Sequence, residues 1–231
     1  MANTNTENPQ VVKENTGSIN INNLQSSFEK NQKVIVGAVV ALVVVVGGFF
    51  GYKELIQKPN EEKAANALFS AERWFEVDSL NYTLNGDGQH KGVLEVIKKF
   101  DGTKAANLAE YYAGMCLLRT GKPQDAIKHL EKFDGKGTPL EFLAEGAMGD
   151  AYMDAGQAAK GIEMYKKAAS NEKDNFTSPL YLFRAALATE QSGNTAEAIK
   201  LYKEVKSKYP QTMQGSQADK YLARLGDVDT N

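Results

Sequence analysis

The sequence predicts an all-α fold, in which a single N-terminal transmembrane helix is followed by a solenoid of helical hairpins and a C-terminal capping helix. Residues 34–52 form a 19-residue run without a charged side chain. Gly121, Gly156 and Gly193 lie 35 and 37 residues apart, a period typical of repeated helical hairpins. After Asn60 the apolar residues recur at helical spacing, and no stretch alternates long enough to predict a strand.

Composition narrows the classes of function. The chain has 231 residues, 42% of them apolar and 24% charged, as in an ordinary folded protein. Its net charge of −2 gives no excess of lysine and arginine to neutralise a phosphate backbone, so we expect no nucleic-acid partner. Cys116 is the only cysteine, which excludes an internal disulfide and a thiolate zinc cluster.

The N-terminal third predicts a polar tail and a membrane span. Residues 1–33 contain eight asparagines and equal numbers of acidic and basic residues, which predicts disorder. Leu24 and Phe28 are placed to start a short interfacial helix, with a featureless tail as the alternative. As a helix, residues 34–53 reach about the thickness of a bilayer core, so we predict a retained anchor there and a linker at 54–59.

Two further features bear on the orientation of the span and on its contacts, and neither settles the question. Lysines flank both of its ends, so the positive-inside rule does not choose an orientation. The layout of a short tail before a long folded region is that of a signal anchor with its N-terminus in the cytoplasm. Gly47 and Gly51 form a Gly-x-x-x-Gly pair, which predicts contact with another membrane helix or reflects the ordinary frequency of glycine in such spans.

The soluble region, residues 60–231, divides into hairpins. We predict a degenerate hairpin at 60–100, repeats at about 104–135, 139–172 and 179–210, and a capping helix at 213–226. Small residues recur where the two helices of each repeat must cross, and larger ones follow four residues after the second small position. These positions are Gly114, Gly149 and Ala186, then Ala126, Gly161 and Ala198, then Leu130, Tyr165 and Tyr202.

With Pro210 closing the third repeat, this pattern resembles the tetratricopeptide family over about residues 106–210. The consensus tryptophan is absent, replaced by Glu110, Glu145 and Leu182, and Phe133 stands where a small residue is usual. The resemblance implies a protein-binding solenoid. Helix entries are predicted from N-caps at Thr138, Ser178 and Asn194.

No catalytic or metal site is predicted. The two histidines, His90 and His129, have no ligand partner at a suitable spacing, and phosphate loops and nucleophile motifs are absent. The Asn85-Gly86-Asp87-Gly88 turn lacks the EF-hand ligand spacing, which favours a plain loop over a calcium site. We therefore expect no enzyme activity, cofactor, metal or small-molecule substrate.

The family resemblance selects a partner-binding groove on the first helices of the repeats. Its apolar members would hold side chains of a bound peptide, and its charged members would set the orientation of that peptide; the alternative is that several pack against the next hairpin. This predicted groove set is Leu108, Tyr111, Met115, Leu118, Arg119, Asp150, Met153, Asp154, Leu180, Phe183, Leu187 and Gln191.

The order of tail, span, linker and repeats resembles the YfgM-like ancillary subunits of the SecYEG translocon. That resemblance implies a single-pass protein of the bacterial inner membrane with a periplasmic repeat domain. Its implied partners are translocon subunits, secreted chains or periplasmic chaperones, with lipid contacted through the span. The alternatives are a scaffold for another envelope complex, such as outer-membrane assembly or secretion, and a membrane-anchored enzyme.

Overall fold

The computed structural model describes residues 21–227, with side chains from Asn31 onward. It divides the chain into two compact units, Met1–Lys53 and Glu54–Asn231. The predicted disorder of residues 1–20 lies outside the described residues. The remainder of the predicted disordered tail, residues 21–33, is helical and continuous with the span; an interfacial position of Leu24 and Phe28 stays a prediction.

The first unit contains helix α1, Ile21–Tyr52. By length and composition this helix could cross a membrane. Its valines from Val34 onward are exposed, as are Phe49 and Phe50. Added Cβ atoms at Gly47 and Gly51 would meet no atom within 4 Å. Both glycines are therefore uncovered in the structure. Their contact with a second membrane helix stays a prediction.

The described part of the second unit consists of helices and the turns and loops that connect them, with one isolated bridge between Gly86 and Lys91. After a short π-helical segment, Lys53–Gln57, ten α-helices follow in chain order. They are α2 Lys58–Glu76, α3 Leu80–Asn85, α4 Val93–Lys99, α5 Lys104–Arg119, α6 Pro123–Leu130, α7 Leu140–Asp154, α8 Ala158–Ala168, α9 Thr177–Gln191, α10 Thr195–Lys208 and α11 Met213–Arg224.

Two segments differ from the sequence expectation. Residues 54–59, expected to be a linker, lie in the π-helical segment and the start of α2. The first hairpin also contains an extra helix, α3, where a loop was expected from Asn81 onward. Thr83 and Leu84 of α3 are buried against the hairpin, and this tertiary burial offsets the weak helix propensity of an asparagine-rich segment.

The three full repeats are the hairpins α5–α6, α7–α8 and α9–α10, and each packs against its neighbours in the chain. Small residues allow the helices to cross closely, as predicted. A Cβ added to Gly114 would lie 2.5 Å from Cγ of Leu130, and one added to Gly149 would lie 2.5 Å from Cε1 of Tyr165. A larger side chain at either glycine would force the two axes apart.

The periodic glycines end the first helix of each repeat. Gly121, Gly156 and Gly193 have φ values of 72°, 73° and 82°, a left-handed conformation that glycine adopts without steric cost. In each case the next residue donates its N–H to a carbonyl five residues earlier, as Lys122 does to Leu117. This is the Schellman arrangement, and it fixes the turn into the second helix.

Candidate protein-binding face

The predicted groove set lies on the first helices α5, α7 and α9, which contact one another in succession through α5–α7 and α7–α9 packing. We call the surface formed by the side chains of these helices and of the adjoining α2 and α11 the A-helix face. Arg119, Asp154 and Gln191 are exposed there, whereas Tyr111 and Phe183 are buried. The half-buried members are Leu108, Met115, Leu118, Asp150, Met153, Leu180 and Leu187.

The two aromatic members pack within the solenoid. Tyr111 is 8% exposed, and its ring centroid lies 5.4 Å from that of Phe133. Burial raises the pKa of the Tyr111 hydroxyl. Phe183 is 7% exposed and meets the Tyr221 ring of α11 edge to face at 5.0 Å. Both rings already fill positions between helices, so neither is open to a partner.

Asp150 is the centre of a charged network between α7 and α9. Both of its carboxylate oxygens accept from Nη1 of Arg184, at 2.5 and 2.7 Å, and Oδ1 also accepts from the Tyr165 hydroxyl at 2.6 Å. Burial and the neighbouring Asp150 carboxylate raise the pKa of Tyr165. The Arg184 guanidinium lies 5.6 Å from the Tyr181 ring centroid, and that ring covers Gly146.

The same arrangement recurs one hairpin later. Nη2 of Arg224 donates to both oxygens of Glu190 at 2.6 and 2.8 Å, and the Tyr202 hydroxyl donates to Oε2 at 2.8 Å. Arg224 lies 4.5 Å from the Tyr221 ring centroid. Each network thus contains a carboxylate, a tyrosine hydroxyl and an arginine. Its charge-assisted hydrogen bonds link neighbouring helices and fix their relative position.

Sequence reasoning did not find these two networks. Their available signal is a Tyr-x-x-Arg pair that occurs in both α9 and α11, at Tyr181 and Arg184 and at Tyr221 and Arg224. The carboxylate that each arginine meets lies 34 residues earlier in the chain. Only the stacking of the hairpins brings that residue into contact with the arginine.

Arg119 closes the N-terminal end of the face. Its Nη2 lies 2.7 Å from Oδ1 of Asp78, and its guanidinium lies 5.6 Å from the Phe75 ring centroid. Like Arg184 and Arg224, it is thus ion-paired within the chain and lies against an aromatic ring, an arrangement that favours cation–π attraction. These arginines hold the helices together and are not free cations.

A surface cleft of the second unit includes Leu180 of the groove set. The cleft has a volume of about 740 Å³ and is lined by the α8–α9 and α10–α11 loops. Phe176 and Met213 at its edge are 81% and 68% exposed. No group of three histidine, cysteine or acidic residues among residues 21–227 is placed to hold a metal ion.

Comparison with known proteins agrees with this geometry. Residues 108–134 and residues 147–211 each match a tetratricopeptide-repeat family. These two segments are therefore tetratricopeptide repeats, and repeats of this kind generally bind other proteins and typically serve as non-enzymatic scaffolds. No curated protein sequence matches the chain.

Two solved structures share the fold. Both contain the nearly identical TPR-like repeats of a Podosopora anserina protein described as a kinesin light chain, one of them as a point variant. They are 15% and 14% identical to this chain, with TM-scores of 0.54 and 0.55. Each match covers 71% of this chain, and 85% and 86% of the other.

Proposed function

We propose that the protein is a membrane-anchored adaptor that binds protein segments on its A-helix face. The observation that carries the proposal is the uncovered surface of α7 and α9. Asp154 and Gln191 are exposed there, and Met153 and Leu187 beside them are half-buried. A surface with partly exposed apolar side chains beside polar ones is suited to holding a peptide.

The setting that we propose is the bacterial inner membrane. In this proposal α1 spans the bilayer with its N-terminus in the cytoplasm, and the repeats face the periplasm. The order of tail, span and repeats, which resembles that of the YfgM-like translocon subunits, supports the proposal. The adaptor would then meet translocon subunits and emerging secreted chains, and assist their transfer to periplasmic chaperones.

One observation favours a second candidate, a scaffold subunit of another envelope complex. Tyr111 and Phe183 are taken up by packing, and the ion pairs of Arg119, Arg184 and Arg224 fix the first helices relative to one another. A pre-organised face of this kind suits one constant partner, because little side-chain freedom remains to be lost on binding.

Photocrosslinking tests the proposal in cells. A photoreactive residue replaces Asp154 or Gln191 on the A-helix face. In the matched controls it replaces Lys160 on α8 or Lys200 on α10, which are also exposed. We expect protein adducts from the first pair and few from the second. Adducts with translocon subunits and many exported chains support the adaptor, whereas a single stable neighbour supports the scaffold. Equal labelling from all four sites would contradict both.

The side of the membrane is tested separately with a thiol reagent that does not cross lipid. Gln157→Cys places a thiol on an exposed turn, while Cys116 is fully buried and provides an unreactive background. In cells stripped of the outer membrane, the variant should be labelled without lysis. Labelling that appears only after lysis would place the repeats in the cytoplasm.

A further inference from the structure

The N-terminal part of the A-helix face has an uncovered helix surface on α2. Phe69, Glu72 and Glu76 lie at positions i, i+3 and i+7 of that helix and so share one side of it. Phe69 is 58% exposed, Glu72 is half-buried and Glu76 is exposed. This surface combines a large apolar side chain with two carboxylates and the exposed guanidinium of Arg73, which lies four residues after Phe69.

Contacts with α5 place these residues on the A-helix face. The carboxylates of Glu72 and Glu76 lie close enough to the Tyr112 hydroxyl of α5 for their negative charges to raise its pKa. The Tyr112 ring meets Phe75 of α2 at 5.0 Å between centroids. Burial, followed by the charge of Glu72, raises the pKa of Tyr112 to about 12. The α2 surface and the groove positions of α5 therefore adjoin.

The A-helix face has more carboxylates than its ion pairs use. Arg119, Arg184 and Arg224 are already matched one to one by Asp78, Asp150 and Glu190.

Three carboxylates of the same face, those of Glu72, Glu76 and Asp154, form no ion pair with any lysine, arginine or histidine in the part of the chain that the structure describes. Set against the one guanidinium of Arg73, these three carboxylates leave this part of the face net negative, beside exposed and half-exposed apolar side chains.

Two of the three second helices carry a net positive charge, whereas α6 has one lysine and one aspartate. Helix α8 has three lysines and one glutamate, and α10 has four lysines and two glutamates. The first helix α7, in contrast, has four acidic residues and no basic one. The contrast is confined to α7 against α8 and α10, because α5 has two basic residues and one acidic residue and α9 has one of each. It steers a partner of complementary sign toward α7.

We infer that the partner segment bound by the A-helix face is basic and apolar, with lysine or arginine side chains that reach Glu72, Glu76 and Asp154 and an apolar side chain that contacts Phe69. This inference rests on the proposed function and specifies the chemistry of the partner. The attraction acts between partly exposed charges, so it weakens as salt screens it.

The test compares two short peptides, one of alternating lysine and leucine and one of alternating glutamate and leucine. Each is titrated onto the full chain in nanodiscs of zwitterionic lipid, with empty discs as the blank, at low and high salt. The lysine peptide should bind more tightly, with an affinity that falls as salt rises. The double variant Glu72→Gln and Glu76→Gln should weaken its binding about three- to tenfold.

A matched control removes two acidic charges from the second helices. Glu163→Gln and Glu204→Gln act on α8 and α10, where each carboxylate pairs with a lysine, and should leave peptide binding unchanged. Equal binding of the two peptides, or equal loss in both double variants, would overturn the inference. Partner adducts from Asp154 and Gln191 would still stand in that event, so the two failures are distinguishable.

Discussion

The crossing of α7 and α8 yields a prediction that separates two neighbouring glycines. An alanine Cβ at Gly149 would lie 2.5 Å from Cε1 of Tyr165 and closer still to Cδ1. Ordinary carbon contacts are about 3.5–4.0 Å, so the ring must withdraw by about 1 Å. The ring has little freedom to do so, because its hydroxyl is bonded to Asp150 and its face stacks on Tyr181.

Gly161 is the matched control, because it lies at the same crossing but faces a flexible side chain. A Cβ there would lie 2.7 Å from Sδ and 2.8 Å from Cγ of Met153, and 3.1 Å from the backbone oxygen of Gly149. Methionine adapts readily through its three rotatable bonds, and the contact with the oxygen needs a shift of only about a few tenths of an ångström. Replacing a mid-helix glycine with alanine stabilises a helix by about 1 kcal/mol. Overpacking a rigid site costs about 1–3 kcal/mol.

Gly149→Ala should therefore lower the free energy of unfolding by up to about 2 kcal/mol, whereas Gly161→Ala should change it little or raise it by up to about 1 kcal/mol. The assay is urea unfolding of the repeat domain within the full chain in detergent, followed by far-ultraviolet circular dichroism. The reasoning fails if Gly149→Ala is as stable as the wild type, or if Gly161→Ala is the more damaging change.

Three further predictions concern individual side chains. Arg184→Ala should cost up to about 1 kcal/mol at low salt and less at high salt, since its pair with Asp150 is partly exposed; an effect that is independent of salt would count against an ionic role. Tyr112 has a raised pKa of about 12, so the unfolded state loses this proton first as the pH rises. Stability should fall between about pH 10 and 12, and less so in Tyr112→Phe, as checked by unfolding at each pH. Cys116 is fully buried, and burial raises its pKa to about 11, so it should react with a thiol reagent at pH 8 only in denaturant; rapid reaction of the folded chain would contradict its position.

The repeat architecture was predictable because its determinants are periodic in the sequence. Gly121, Gly156 and Gly193 occupy left-handed positions that only glycine adopts easily, so their spacing reports the hairpin length directly. The small residues at the crossings follow the same logic, since Gly114 and Gly149 leave no room for a Cβ.

The N-terminal caps of the helices were predicted less well than the repeats. A capping side chain can hydrogen-bond to several nearby backbone groups, and the sequence does not show which one it meets. Asn194 does cap α10 by accepting from the Glu197 N–H. The expected caps at Thr138 and Ser178 are wrong, since their hydroxyls donate to the carbonyls of Gly135 and Asn171. The α9 entry is held by Asp174, which accepts from two backbone N–H groups in the turn before the helix.

The sequence predicted which helices carry the groove set, but not how exposed its members are. Family positions place the set on the first helices of the repeats, and they do not reveal which side chains the neighbouring hairpin covers. Tyr111 is buried because Phe133 replaces the usual small residue beside it, and Phe183 because α11 supplies Tyr221. Contacts between residues more than 30 positions apart, such as Asp150 with Arg184, depend on the stacking angle, which the repeat pattern does not encode.

The most direct test of a protein-binding A-helix face is hydrogen exchange on the full chain, alone and in complex with a partner captured by crosslinking. The account predicts slower backbone exchange in α2, α5, α7 and α9 on binding, and unchanged exchange in α6, α8 and α10. Protection confined to those second helices, or to the cleft at Phe176 and Met213, would contradict it.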